Sequence, residues 1–162
     1  MRILSVFIRV HPWLRIGSMQ MEWHHRNYTL TDDKKRLDLN TTCALLHASY
    51  WAADRSRELI EKSIQHSICF ALLHDGKQVG FARAVTDRST FAWICDVIIA
   101  PEHRGRGLGK WMMECIIAHP DFQNATQLLR TRDAHTLYER FGFKRAECLR
   151  RGGPDLCPVP VP

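Results

Sequence analysis

The sequence holds no long apolar run, no C-x-x-C pair, no internal repeat and no arginine run longer than a pair. Each absence closes off a class. A membrane-spanning helix needs about 20 consecutive apolar residues. The one mildly apolar stretch, MRILSVFIRVHPWLRIGSM at the start, is interrupted by Arg9 and Arg15, which breaks it too often for a span or a signal peptide. Six cysteines are present (Cys43, Cys69, Cys95, Cys115, Cys148 and Cys157), several inside apolar periodic segments where a free thiol packs as a small hydrophobe. That usage implies a reducing, cytoplasmic setting and no disulfide framework. Cys43/His47 and Cys115/His119 are spaced i, i+4, but each pair is half of a zinc site, and His24-His25 stands alone. These read as packing or surface residues, and no metal is expected. Aromatics make up only 9% of the chain and form no RNA-binding signature. The basic excess of +6 favours anionic partners weakly, and a phosphate-bearing cofactor, a nucleic acid and an acidic surface all fit.

What is present suits one domain: 162 residues, 45% hydrophobic and 25% charged. Residues 1–20 read as a leader outside it, since Met19 and Met21 could each begin the domain. Residues 21–148 form the domain. Residues 149–162 are a tail, with Arg150 and Arg151 solvated and PDLCPVPVP extended. Along the domain, a strand is expected over 22–30. A helix is expected from a cap at Asn40, and a second with Leu59, Ile60 and Ile64 on one face. The period then changes to two, and Asp75-Gly76 joins two strands into a hairpin. A third strand spans 91–99. A helix follows over 107–119, with Leu108, Trp111, Met112, Cys115 and Ile116 as its apolar stripe, stopped by Pro120. A strand over 126–131, a short helix over 134–141 capped by Gly142, and a final strand complete the order. This is a mixed α/β arrangement: a mostly antiparallel central sheet flanked by helices, with one parallel strand–helix–strand crossover.

That crossover contains PEHRGRGLGKW. It is neither a Walker loop, because the first glycine falls at Arg104 and Trp111 replaces Ser/Thr, nor a dinucleotide fingerprint, because the third glycine falls at Lys110. Its physics is nevertheless that of an anion cradle. The loop lies between a strand and a helix N-terminus, its glycines expose backbone N–H groups, and Arg104, Arg106 and Lys110 add charge. An exposed basic turn is the plainer alternative.

Arg104-Gly105-Arg106-Gly107-Leu108-Gly109 resembles the R/Q-x-x-G-x-G/A signature of the GNAT superfamily of acyl-CoA N-acyltransferases. The stretch Ala134-His135-Thr136-Leu137-Tyr138-Glu139-Arg140-Phe141-Gly142-Phe143 resembles its second signature, A-x-x-L-Y-x-x-x-G-F. Order and spacing agree, and the resemblance covers residues 22–146. One departure stands out: many members carry Asn where this chain has Thr131. The resemblance implies a GNAT-like fold, acetyl-CoA as co-substrate, and a primary amine of a small molecule or a protein as acceptor, which attacks the acetyl group directly in a ternary complex. It also implies that residues 104–110 hold the pyrophosphate and that the backbone of Val97, Ile98 and Ile99 pairs with the pantetheine arm. Many relatives are dimers, so a homodimer stays open.

Acyl transfer to an amine needs a neutral amine, a donor for the tetrahedral oxyanion and a proton for the departing thiolate. The resemblance makes Tyr138 that proton donor; spacing alone would read it as a core tyrosine beside Leu137 and Phe141. Asp96 is the one charged residue in FAWICDVIIA and a candidate general base, because a partly desolvated carboxylate has a raised pKa. Against that stands a structural ion pair with Arg83 on the neighbouring strand, which would lower it. An exposed amine served by a water chain would need no dedicated base. Cys95 has no neighbour that would lower its pKa, so a covalent route is not expected. The acceptor pocket is expected around residues 45–57 and 87–90. Two rival readings remain: a non-catalytic acyl-CoA-binding sensor, and a small nucleic-acid-binding domain using the basic loop.

Overall fold

Period-two burial shapes the centre of the molecule. In the computed structural model, which describes residues 20–149 and 151, alternate residues of Phe91–Ile99 point inward: Ala92, Ile94, Asp96 and Ile98 are buried, and their neighbours are half-exposed or exposed. This strand is β5 of a six-stranded sheet whose spatial order follows chain order. The others are β1 (Glu22–His25), β2 (Tyr28–Thr31), β3 (Ile68–His74), β4 (Lys77–Thr86) and β6 (Thr126–Leu129). All neighbours are antiparallel except β5 and β6, which run parallel. The mixed, mostly antiparallel sheet flanked by helices is thus the observed architecture.

The helices are α1 (Leu39–His47), α2 (Arg57–Gln65), α3 (Leu108–Ile117) and α4 (His135–Glu139). The N-cap of α1 is Asp38, which accepts from the Thr41 N–H at 2.6 Å. The expected cap, Asn40, already lies inside the helix and instead accepts from Arg57 at 2.9 Å. Ser56 caps α2. Ile60 fills the core from α2 and Ile64 packs against it, but Leu59, expected on the same face, is 55% exposed. Helix α3 buries Leu108, Met112, Met113, Cys115 and Ile116. Met113 joins the expected stripe, and Trp111 packs partly buried against the core and lies beside His25 with ring centroids 5.3 Å apart.

Two further expectations change. The strand over 22–30 is a hairpin, β1 and β2, reversed at Arg26-Asn27 with Arg26 at φ 56°. No strand forms after Gly142 among the described residues: 143–149 carry no regular structure and are mostly exposed. The Asp75-Gly76 turn between β3 and β4 forms as expected, both residues having positive φ. The leader and tail readings fall outside the described residues, apart from Gln20, Leu149 and Arg151.

Candidate active site

The site begins with an irregularity in β5. Opposite β4, Phe81 pairs with Ile98 but Arg83 pairs with Cys95, so Asp96 and Val97 together face the single residue Ala82. This is a β-bulge, and its strain sits on Asp96 at φ 56°. Bulges bend a strand and re-aim side chains, and here the bulge brings the Asp96 carboxylate within reach of Arg83. Asp96 Oδ2 accepts from Arg83 Nε at 2.5 Å and from Arg55 at 2.8 Å, with its side chain only 2% exposed. Burial pushes the carboxyl pKa up, but the Arg55 hydrogen bond and the charges of Arg83 and Arg55 outweigh it, and the net direction is down. A carboxylate so held is a poor proton acceptor, and the ion-pair alternative for Asp96 is the arrangement the fold adopts.

Past the bulge, β5 and β6 separate. Their register runs from Phe91↔Thr126 to Ile94↔Leu129 and stops there. Ala100 N–H bonds back to the Val79 carbonyl on β4, so alternation turns the Val97 and Ile99 peptide groups toward the unpaired edge. Ile98, named with them from the sequence, sends its side chain into the core.

The glycine loop follows directly. Gly105 and Gly107 have φ of 74° and 78°, a conformation open to glycine and strained for other residues. Space lies open where each Cβ would stand. Gly107 precedes α3 with no side chain capping it, which leaves the first N–H groups of the helix unclaimed. This suits a pyrophosphate. The arginines are exposed yet engaged by the protein: Arg104 Nε donates to the Ile99 carbonyl at 2.8 Å, and Arg106 donates to the Glu102 carbonyl at 3.2 Å and the Tyr28 hydroxyl at 3.4 Å. Tyr28 is also hydrogen-bonded to His103 at 2.9 Å. These arginines brace the loop against β5 and β2. Lys110 lies near Glu114, one turn along α3, at 3.7 Å.

Opposite, Tyr138 is carried by α4. Thr131 Oγ1 accepts from the Ala134 N–H at 3.0 Å and fixes the start of the helix, which gives a local role to the residue standing in place of Asn. Gly142, at φ 81°, closes its end: Gly142 N–H reaches the Glu139 carbonyl at 3.0 Å, and Phe143 N–H reaches the Tyr138 carbonyl at 3.3 Å. The Tyr138 hydroxyl has no protein partner among the described residues. Burial chiefly, with the nearby Tyr50 and Asp133, pushes its pKa above the ordinary phenol value, so it stays protonated at neutral pH.

The β5 bulge and Tyr138 border a cavity of about 360 Å³, and the glycine loop lies outside its lining. Its wall holds Asp96, Val97, Leu129 and Tyr138 together with Tyr50, Trp51, Arg55, Arg83 and Trp93, and Arg132 is also among the wall residues. Cys95 also lines it, but burial pushes its thiol up to about 12, too high for a nucleophile. Residues 45–57 supply Tyr50, Trp51 and Arg55 to its wall. Residues 87–90 do not line it; that loop folds onto the Asp87 carboxylate, which accepts from the backbone of Ser89, Thr90 and Phe91. Arg55, Trp51, Trp93 and Arg132 carried no individual signal in the sequence. His119 is buried in the core on Asp32 at 3.1 Å, and no group of metal-ligating side chains exists among the described residues.

An Acetyltransferase (GNAT) domain model matches residues 65–145. The chain belongs to the GNAT family of acetyltransferases. A solved structure from Xanthomonas campestris pv. campestris, provisionally named a GNAT acetyltransferase, is 39% identical, with 78% of this chain and 94% of that one covered and a TM-score of 0.75. A Gibberella zeae protein, provisionally named an acetyltransferase, is 28% identical over 146 residues, which span 75% of this chain and 82% of its own length. A GNAT acetyltransferase from Elizabethkingia anophelis, solved with acetyl-CoA bound, shares the fold at a TM-score of 0.60 and 16% identity, with 76% of this chain and 80% of that one covered. Within this GNAT chain no described helix is long and apolar enough to cross a membrane.

Proposed function

We propose that the chain moves an acetyl group from acetyl-CoA to a primary amine by direct attack within a ternary complex. The observation that supports this most is a cavity whose wall holds both Tyr138 and Val97 of the unpaired β5 edge. Acetyl-CoA, when bound, supplies the activated acetyl group. The backbone N–H groups of residues 105–110 hold its pyrophosphate, and the peptide edge of Val97 with the Ile99 N–H pairs with its pantetheine arm like an added strand. Tyr138, protonated and free of other partners, delivers a proton to the departing thiolate. Asp96 holds Arg55 and Arg83 in place, and proton removal from the amine passes to water at the open mouth. The positive charge of those arginines helps, since a nearby cation lowers the pKa of an incoming ammonium. The reaction runs in a reducing, cytoplasmic setting, which suits the five described cysteines, all free.

Release of CoA thiol from acetyl-CoA across an amine panel tests the reading. Amine-dependent release is expected. Binding of acetyl-CoA without release for any amine would instead favour the sensor alternative.

A further inference from the structure

The cavity wall carries more positive charge than it neutralises. Arg55 and Arg83 aim at the same carboxylate oxygen of Asp96, and their side chains are only 18% and 15% exposed. Two guanidiniums on one carboxylate leave a unit of positive charge in a largely dry cluster. The other bond of Arg83 goes to a neutral group, the Ser67 hydroxyl at 3.2 Å. A guanidinium has five N–H donors, so Arg55 and Arg83 retain several with no partner among the described residues. Arg130 and Arg132, exposed wall residues, add a third and a fourth guanidinium, that of Arg132 seated 3.8 Å above the Tyr50 ring. Its acidic neighbour Asp133 lies 3.5 Å from the Tyr50 hydroxyl that donates to it. Around these charges the wall is apolar and aromatic: Tyr50, Trp51, Val85 and Trp93.

Uncompensated charge out of water is unfavourable, and an arginine pair with spare donors is shaped for a carboxylate. The same charge repels polycations. The cavity volume is at the small end of ligand pockets, which run from about 300 to 1,000 Å³. Resting on the acetyltransferase reading above, we infer that the acceptor is a small amine bearing its own carboxylate and an apolar or aromatic body: an amino acid, as opposed to a polyamine or a lysine on a basic protein. Arg55 and Arg83 take the carboxylate, and the aromatic wall takes the side chain. The amine nitrogen bonds to the acetyl carbon as the thioester C–S bond breaks; one proton leaves the nitrogen and one reaches the thiolate sulfur.

The test uses the full chain with acetyl-CoA and three acceptors: phenylalanine, phenylalaninamide and spermidine. Phenylalanine should exceed its amide in kcat/KM by about tenfold or more, as for a charge-assisted hydrogen bond, and spermidine should be poorest. Arg55→Gln should bring the acid-to-amide ratio to about one, and Arg55→Lys should restore part of it, with a cooperative melt above the assay temperature in each variant as the folding control. A second arm, calorimetry with CoA present, compares N-acetylphenylalanine with its amide and needs no turnover; tighter binding of the acid, lost in Arg55→Gln, is expected. Preference for the amide or spermidine, or an Arg55→Gln loss equal for acid and amide, overturns the inference and leaves the acetyltransferase reading standing. Absence of CoA release with every amine overturns the acetyltransferase reading, and the calorimetric arm still decides whether a carboxylate is recognised.

Discussion

The two parts of the proposed site are built from different materials. The proposed cofactor end, outside the cavity lining apart from Val97, is made mainly of main chain: the free edge of β5, two glycines with positive φ, and the uncapped start of α3. It comes from one continuous stretch of chain. The acceptor end is made of side chains from separate segments, with Arg55 meeting Asp96 across 41 positions and Arg83 meeting it across 13. A site made of backbone is sensitive to conformation and tolerant of side-chain identity; a site made of side chains is the reverse. The arginines of the glycine loop fit that contrast, since they bond to carbonyls and a tyrosine and leave the anion to the peptide groups.

The largest expected effect tests where the ends meet. Tyr138→Phe should lower kcat by about 10²–10⁴-fold, as for loss of a general acid, with little change in acetyl-CoA affinity. A rate near wild type across pH would remove Tyr138 from the chemistry. Next, Asp96→Asn should cost about 3–5 kcal/mol of folding stability in denaturant titration, because it leaves two half-buried guanidiniums without their anion. An Asn variant of normal stability that fails to turn over would return Asp96 to the role of base. The same pair sets an acid limit. The folded pKa of Asp96 is depressed, so its contribution is complete above the unfolded value of about 3.9 and is lost as pH falls through the lower folded value. Melting curves from pH 6 to pH 2 should show this loss at the acid end in wild type and not in Asp96→Asn.

At the cofactor end the effects are smaller. Gly107→Ala forces a Cβ into the left-handed region, a strain of about 1–2 kcal/mol, read as weaker CoA binding by calorimetry. Arg104→Gln should change CoA affinity by less than about threefold, since its guanidinium points back to Ile99. A larger loss there than at Gly107 would make the cradle one of side chains and erase the contrast.

Much of the cofactor end was legible because its signals are local. A strand of alternating burial, a run of alternate glycines and an apolar helical stripe lie next to one another, and each reports a backbone conformation. The Asp75-Gly76 turn and the Gly142 cap were legible for the same reason. The β1–β2 reversal was not, since Arg26 enters the left-handed region without a glycine to mark it. Leu59 misled because periodicity shows which residues could share a face but not how wide the buried stripe is. The strand expected after Gly142 follows an apolar FGF that, in the fold, packs on the core as the last residues of a helix cap.

Asp96 marks the boundary between the two kinds of information. Residue order alone places a carboxylate on the inward face of β5 and an arginine on the adjacent strand, and that already poses the choice between base and ion pair. Deciding it takes the bulge that turns Asp96 toward Arg83 and the α1–α2 connection that delivers Arg55. Neither is a local property: both depend on how segments far apart in the chain settle against one another. Backbone conformation is written residue by residue, whereas the charge balance of the cavity exists only once distant side chains share a desolvated space.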